Sequence, residues 1–219
     1  MPNTRVRQTR PEDIPALIEL QSRVYPTIPP WSRRKLAEQL DVFPQGQLVA
    51  ESPDGSLIGC ASSLIIVWDD WCDSHTWKEI TGAGTFEHHT PEGRTLYGAE
   101  VFVAPEVRGT GAGHKLYEGR RAICKAMNLK RIIACGRLPN YHHYAEEMTP
   151  QFYAMKVVWG DIKDPVLNFQ LREGFDFCGV LEDYLPEDKE SRGHASIIVW
   201  INEDYDPTRP TTIPETIDL

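Results

Sequence analysis

The stretch Arg108-Gly109-Thr110-Gly111-Ala112-Gly113 constrains this chain more than any other. It follows the apolar run Val101-Phe102-Val103 and Pro105, and residues 111–128 after it read as a helix. Three glycines within five residues, between a strand and a helix, let the backbone approach a ligand closely and aim several free N–H groups at one point. A helix N-terminus adds the positive end of its dipole, so the expected guest is a phosphate or pyrophosphate. A Walker loop would end Gly-Lys-Ser/Thr, whereas this one ends Gly113-His114-Lys115 and lacks the hydroxyl that holds magnesium. A dinucleotide fingerprint would read Gly-x-Gly-x-x-Gly after the first strand of a βαβ unit. Here the spacing is Gly-x-Gly-x-Gly and the loop sits mid-chain, behind a β-rich half. A glycine-rich turn that binds nothing is the plain alternative.

Elements can be placed around this loop. Residues 5–9 read as a strand, and Pro11-Glu12-Asp13 starts a helix whose Ile14, Leu17, Ile18 and Leu20 repeat at helical spacing. Pro26, Pro29 and Pro30 break that helix, and Ser32 caps a second one through about Leu40. Residues 47–51 and 57–68 flank an Asp54-Gly55 turn and form a hairpin. Residues 69–94 form a long excursion without a clear period, and Leu96 to Val103 is the strand before the loop. A strand at 131–135 is followed by an insertion over about 136–164, in which Thr149-Pro150 starts a helix reaching Trp159. Asp164-Pro165 caps a helix at 165–173, strands follow at 177–181 and 195–201, and residues 206–219, with three prolines, read as a loose C-terminal tail.

At 219 residues the chain suits a single domain over 1–205 plus that tail. No apolar run approaches the roughly 18 residues of a membrane span, and the N-terminus lacks a secretory h-region, so a cytoplasmic protein with no membrane partner is expected. The net charge of -9 argues against nucleic acid, since phosphate contacts need a positive face, and weakly favours cationic partners such as protonated amines. Five scattered cysteines form no Cys-x-x-Cys pair and read as reduced, with Cys60, Cys124 and Cys135 in apolar contexts. His88-His89 and His142-His143 lack acidic or cysteine companions at ligand spacing, so no metal is expected.

Taken with Val103 and Pro105, the Arg-x-x-Gly-x-Gly spacing resembles the acetyl-CoA signature of the GNAT N-acyltransferases. The resemblance implies an α/β fold in which a mixed central sheet is flanked by helices, with the helical insertion lying between the strand at 131–135 and the helix at 165–173. It also implies acetyl-CoA, or another acyl-CoA, as the cofactor. N–H groups from Arg108, Gly109, Thr110, Gly111, Ala112, Gly113 and His114 would hold its pyrophosphate. Backbone groups of Val101 and Val103 would pair with the pantetheine arm where the strand splays from its neighbour. The activity implied is transfer of the acyl group to a small-molecule or lysine-bearing amine, directly in a ternary complex. A second reading, from another class, is a non-catalytic acyl-CoA sensor or partner-docking module.

Glu100 interrupts an apolar strand, and burial would raise its pKa toward what a general base needs. In the resembling family an acid on this strand often takes the amine proton through a water, whereas a solvent-facing glutamate at a strand edge would mean nothing. The family's usual tyrosine, four residues before the Gly-Phe pair that ends the penultimate helix, is Gln170 here, and the asparagine near that helix's start corresponds to Lys163. Glutamine cannot protonate a thiolate efficiently. Either water, or Tyr141, Tyr144 or Tyr153 in the insertion, or Tyr97 on the strand serves, or the thiolate leaves unassisted. The segment Tyr141-His142-His143-Tyr144 lines an acceptor pocket, or else is an aromatic patch packing the insertion or a homodimer contact. Residues 136–148 and 164–171 also look like the GNAT domain that some proteins fuse to a nitrilase-like carbon–nitrogen hydrolase, which implies a functional link to such a hydrolase.

Overall fold

The computed structural model describes residues 4–26 and 28–219. Seven strands form one mixed sheet in the order β1-β2-β3-β4-β5-β7-β6. They are β1 (Arg5–Gln8), β2 (Gln47–Glu51), β3 (Leu57–Ile66), β4 (Thr95–Val103), β5 (Arg131–Arg137), β6 (Asp176–Leu181) and β7 (Ala195–Ile201). Every neighbouring pair is antiparallel except β4 with β5. The helices are α1 (Ile14–Val24), α2 (Arg33–Val42), α3 (Trp77–Ile80), α4 (Ala112–Ala126), α5 (Pro150–Trp159) and α6 (Pro165–Arg172). This is the expected mixed sheet flanked by helices, with α5 in the insertion.

Local chemistry accounts for most boundaries. Ser32 Oγ accepts from Lys35 N to start α2, Thr149 Oγ1 accepts from Phe152 N to start α5, and Asp164 Oδ1 takes Val166 N and Leu167 N at the head of α6. The β2–β3 turn closes through Gly55 at φ +86, as the Asp-Gly pair requires.

Alternation along the strands divides the core. Leu48, Ala50, Ala61 and Leu96 face α4 with Leu116, Tyr117 and Ile123, whereas Val49, Cys60 and Phe102 face α1 and α2 with Leu17, Leu20 and Leu36. Residues 69–94 cover the second face further along, where Phe86 and Ile80 pack on Leu64, Ile66 and Tyr97.

Two irregularities in β4 position the site. The β3–β4 register skips Ala99, pairing Ser63 with Gly98 but Ser62 with Glu100, which is a β-bulge. In addition, β4 pairs with β5 only from Thr95–Arg131 to Gly98–Ala134, although β5 stays paired with β7 through Arg137. Beyond Gly98 the two parallel strands part and leave a gap. Arg120, fully buried on α4, holds the bulge from below: its guanidinium donates to Ser62 O at 2.9 Å, to Ser63 Oγ at 3.2 Å, and to Glu100 O. Gly98 leaves room for it, since a Cβ would sit 3.1 Å from the guanidinium.

Residues 206–219 carry no regular secondary structure, yet they are not loose. Asn128, at φ +53 just after α4, donates through Nδ2 to Asp206 O and Arg209 O at 2.9 and 3.0 Å. Thr211 Oγ1 adds a bond to Gly93 O at 3.0 Å. Composition suggested mobility, but backbone carbonyls of the segment meet donors contributed by distant turns.

Candidate functional site: a glycine loop at the mouth of a splayed strand pair

The loop between β4 and α4 has the geometry that its glycines imply. Gly109 and Gly111 adopt φ of +78 and +96, and Gly111 is the N-cap of α4 in the left-handed region. The N–H groups of Gly109, Gly111, Ala112, Gly113 and His114 have no backbone acceptor among the described residues, which makes a cluster of donors at a helix N-terminus. Arg108 N and Thr110 N, expected to join them, are instead turned inward to Pro105 O and Val107 O at 3.4 and 3.3 Å. The His114 ring pairs with Glu173 and Glu118, so only its backbone N–H is open to a ligand.

The strand leading to this loop offers backbone groups of its own. Ala104 N donates to Ile58 O at 2.8 Å, so the even-numbered residues at this end of β4 bond to β3 and the odd-numbered ones point the other way. Val101 and Val103 therefore turn their N–H and C=O into the gap that β5 has left. An extended arm laid there would find a strand edge freed from β5, with the loop's donors at its end, although the Val101 N–H, expected to pair with such an arm, is held by the Glu100 carboxylate at 3.0 Å.

Glu100 stands at the bulge, partly buried. Its carboxylate accepts from Val101 N at 3.0 Å and from Tyr25 Oη at 3.3 Å. Burial pushes its pKa up to about 7, against the opposing pull of those two donors and of Arg120 and Arg137. Arg137, at the end of β5, is held by the Asp188 carboxylate at 2.6 and 2.8 Å and by Glu190 at 2.7 Å. A carboxyl that titrates near neutrality beside an open strand edge can accept a proton from a bound amine.

The tyrosines that sequence singled out lie elsewhere. Tyr141 is buried in the insertion and donates to Met148 O at 3.0 Å, with its ring against Tyr153 and His194. Tyr153 donates to Asp164 Oδ2 at 2.9 Å, and the Tyr144 ring lies tilted against that of Tyr153 with centroids 5.4 Å apart. These contacts make the tyrosines the packing of the insertion, and none of the three is bonded to Glu100 among the described residues. Tyr97 is buried on the opposite face from α4, sharing a 2.6 Å bond with Tyr184 Oη and lying 3.5 Å from His75 Nε2.

Two further groups meet at the base of the gap. Gln170 is buried against Gly136 of β5, where an added Cβ would collide with its Oε1. Its Nε2 donates to Tyr117 Oη at 3.5 Å, while Oε1 has no partner among the described residues. Nothing in the sequence marks Tyr117, which reads as one more apolar position of α4; its hydroxyl meets Gln170, fifty-three residues away.

Among the described residues no group of three or more His, Cys, Asp or Glu side chains gathers as a metal site, and no helix is long and apolar enough to cross a membrane. The cysteines are all free, and burial pushes the Cys60 and Cys135 thiols up to about 12.

Residues 14–148 match the family model for the acetyltransferase (GNAT) family. The uncharacterized N-acetyltransferase YkwB of Bacillus subtilis is 35% identical over 91% of this chain and 89% of its own length. The probable hydrolase YhcX of the same organism is 44% identical over 92% of this chain, which spans only 39% of that protein's length. Among solved structures, the GphF GNAT-like decarboxylase in complex with isobutyryl-CoA superposes with a TM-score of 0.75 at 26% identity, covering 90% of this chain and 98% of that one. The chain belongs to the acetyltransferase (GNAT) family.

Proposed function

We propose that the protein is an acyl-CoA-dependent N-acyltransferase that moves an acyl group directly to an amine within a ternary complex. The observation that carries this reading is the placement of Glu100, a carboxyl that burial pushes up to about 7, on the bulge from which a strand edge freed from β5 runs to the glycine loop. Acetyl-CoA or a close relative fits this surface, because a diphosphate suits the N–H cluster at Gly109 and residues 111–114 and an amide-bearing arm suits the edge at Val101 and Val103. When bound, it would supply the thioester. Glu100 then takes the proton of the ammonium group, freeing the nitrogen lone pair. The acceptor is a small-molecule or lysine-bearing amine. The reach of the YhcX similarity supports a functional partnership with a hydrolase of the kind that protein's name states.

Similarity to GphF favours a second reading, loss of CO2 from a carboxylated acyl-CoA. One experiment separates the two. Isothermal titration establishes acetyl-CoA binding, and a screen over amines and lysine peptides then follows free thiol. Acyl transfer releases CoA thiol in proportion to amine, whereas decarboxylation of malonyl-CoA releases CO2 and leaves the thioester intact. Tight binding with neither product would leave a binding module.

A further inference from the structure

Acyl transfer requires a proton for the departing sulfur, and position 170 carries no acid. Tyr117, one turn into α4, supplies a phenol instead. It is fully buried, with its ring edge-to-face against Phe169 and Phe175 at 5.3 and 5.4 Å. Those contacts fix the ring and leave its hydroxyl at the base of the gap, where Gln170 Nε2 donates to it. An amide N–H cannot accept, so the phenol's own hydrogen has no acceptor among the described residues, and Gln170 Oε1 is buried and equally unmet. With the amide turned over the phenol would donate to Oε1 instead, and in either orientation both polar atoms of the amide lie against Gly136. Buried polar groups are rarely left this way. The shortfall lies against Gly136, in the part of β5 that β4 has left, so a group lying in the gap would meet it.

We propose that Tyr117 is the hydrogen-bond and proton donor to the sulfur of the bound acyl-CoA. The assignment rests on the acyl-transfer reading above. As the amine nitrogen bonds to the acyl carbon, the C–S bond breaks and its electron pair moves to sulfur, which takes the proton of Tyr117 Oη. Glu100 takes the ammonium proton before attack and passes it to solvent, the second nitrogen proton leaves by the same route as the C–S bond breaks, and solvent reprotonates the tyrosinate, so the products are the amide, free CoA thiol and one proton. Burial keeps the phenol protonated at neutral pH, and the Arg120 guanidinium, 5.5 Å from the ring centroid, stabilises the short-lived phenolate.

The test compares affinity for CoA with that for desulfo-CoA, which lacks the sulfur, in the parent and in Tyr117→Phe. The parent is expected to prefer CoA, and the variant to lose roughly five- to tenfold of that preference while binding desulfo-CoA unchanged. Turnover should fall about 10²-fold at constant KM for acetyl-CoA, with the alkaline limb of the rate profile flattened. If Tyr117→Phe keeps the parent's CoA preference, the proposal is overturned. Gln170→Leu should keep that preference, since the phenol remains; loss there with retention in Tyr117→Phe would assign the sulfur contact to Gln170. A parent that acylates no amine yet loses its CoA preference on Tyr117→Phe would overturn the transfer reading and leave the sulfur contact standing.

Discussion

The glycine loop and the base of the β4–β5 gap are both poised to meet one ligand, but they are built from different material. The loop presents backbone N–H groups whose directions follow from two positive φ angles and a helix start, all within six residues. The base of the gap uses side chains delivered by α4 and α6, fifty-three residues apart, onto a glycine of β5. A backbone site depends on local conformation and tolerates most side chains around it. A side-chain site depends on the packing of whole elements, so its failures should appear first as lost stability or turnover and only then as lost affinity.

The sharpest way to break this contrast is to remove the support shared by the bulge and the gap. Arg120→Met leaves the carbonyls of Ser62 and Glu100 without their buried donor, a loss of about 3 kcal/mol for charged hydrogen bonds. For a domain of this size that is roughly a 6–12 °C fall in melting temperature by calorimetry. An unchanged melting point would show that the bulge stands on its own. Next comes Glu100→Gln, expected to lower turnover about 10²-fold while titration calorimetry finds acetyl-CoA affinity preserved. The same variant tests the cost of the buried carboxyl. The folded pKa lies above the ordinary glutamate value, so ionisation destabilises the fold as pH rises from about 4.5 through about 7. The variant should therefore gain stability over the parent at pH 8, by up to about 3 kcal/mol, and little at pH 4. The smallest expected effect belongs to the loop. Gly111→Asp puts a like charge and a strained φ where the diphosphate would lie, and acetyl-CoA affinity should drop at least tenfold, or about 1.4 kcal/mol, at unchanged turnover per bound complex. Full affinity in a folded variant would detach the loop from the cofactor.

What was legible in the sequence follows the same division. Ser32, Thr149 and Asp164 announce helix starts because a cap is a contact within three residues, and Asp54-Gly55 announces its hairpin for the same reason. The glycine loop stands out because its demands on φ are met residue by residue. Glu100 was conspicuous only as a charge in an apolar run; that it sits on a bulge depends on how β3 and β4 register, which alternation alone cannot reveal. The tyrosines of the insertion drew attention through composition, yet Tyr141 and Tyr153 spend their hydroxyls on Met148 and Asp164, a pairing set by how the insertion folds back on itself. Arg120 looked like any helix arginine, and its three acceptors lie at least twenty residues away.

The parting of β4 from β5 also has a mechanical meaning. The sheet consists of two antiparallel ribbons, β1 to β4 and β5-β7-β6, stitched strand to strand only along Thr95–Gly98 and Arg131–Ala134. A molecule threaded into the gap would lengthen that seam by bonding to both ribbons at once, so its binding energy would become energy of cohesion between them. At a hundredfold excess over Kd this amounts to about 2.7 kcal/mol. It would register as slowed amide exchange along β5 and β7, including strands that the ligand never touches.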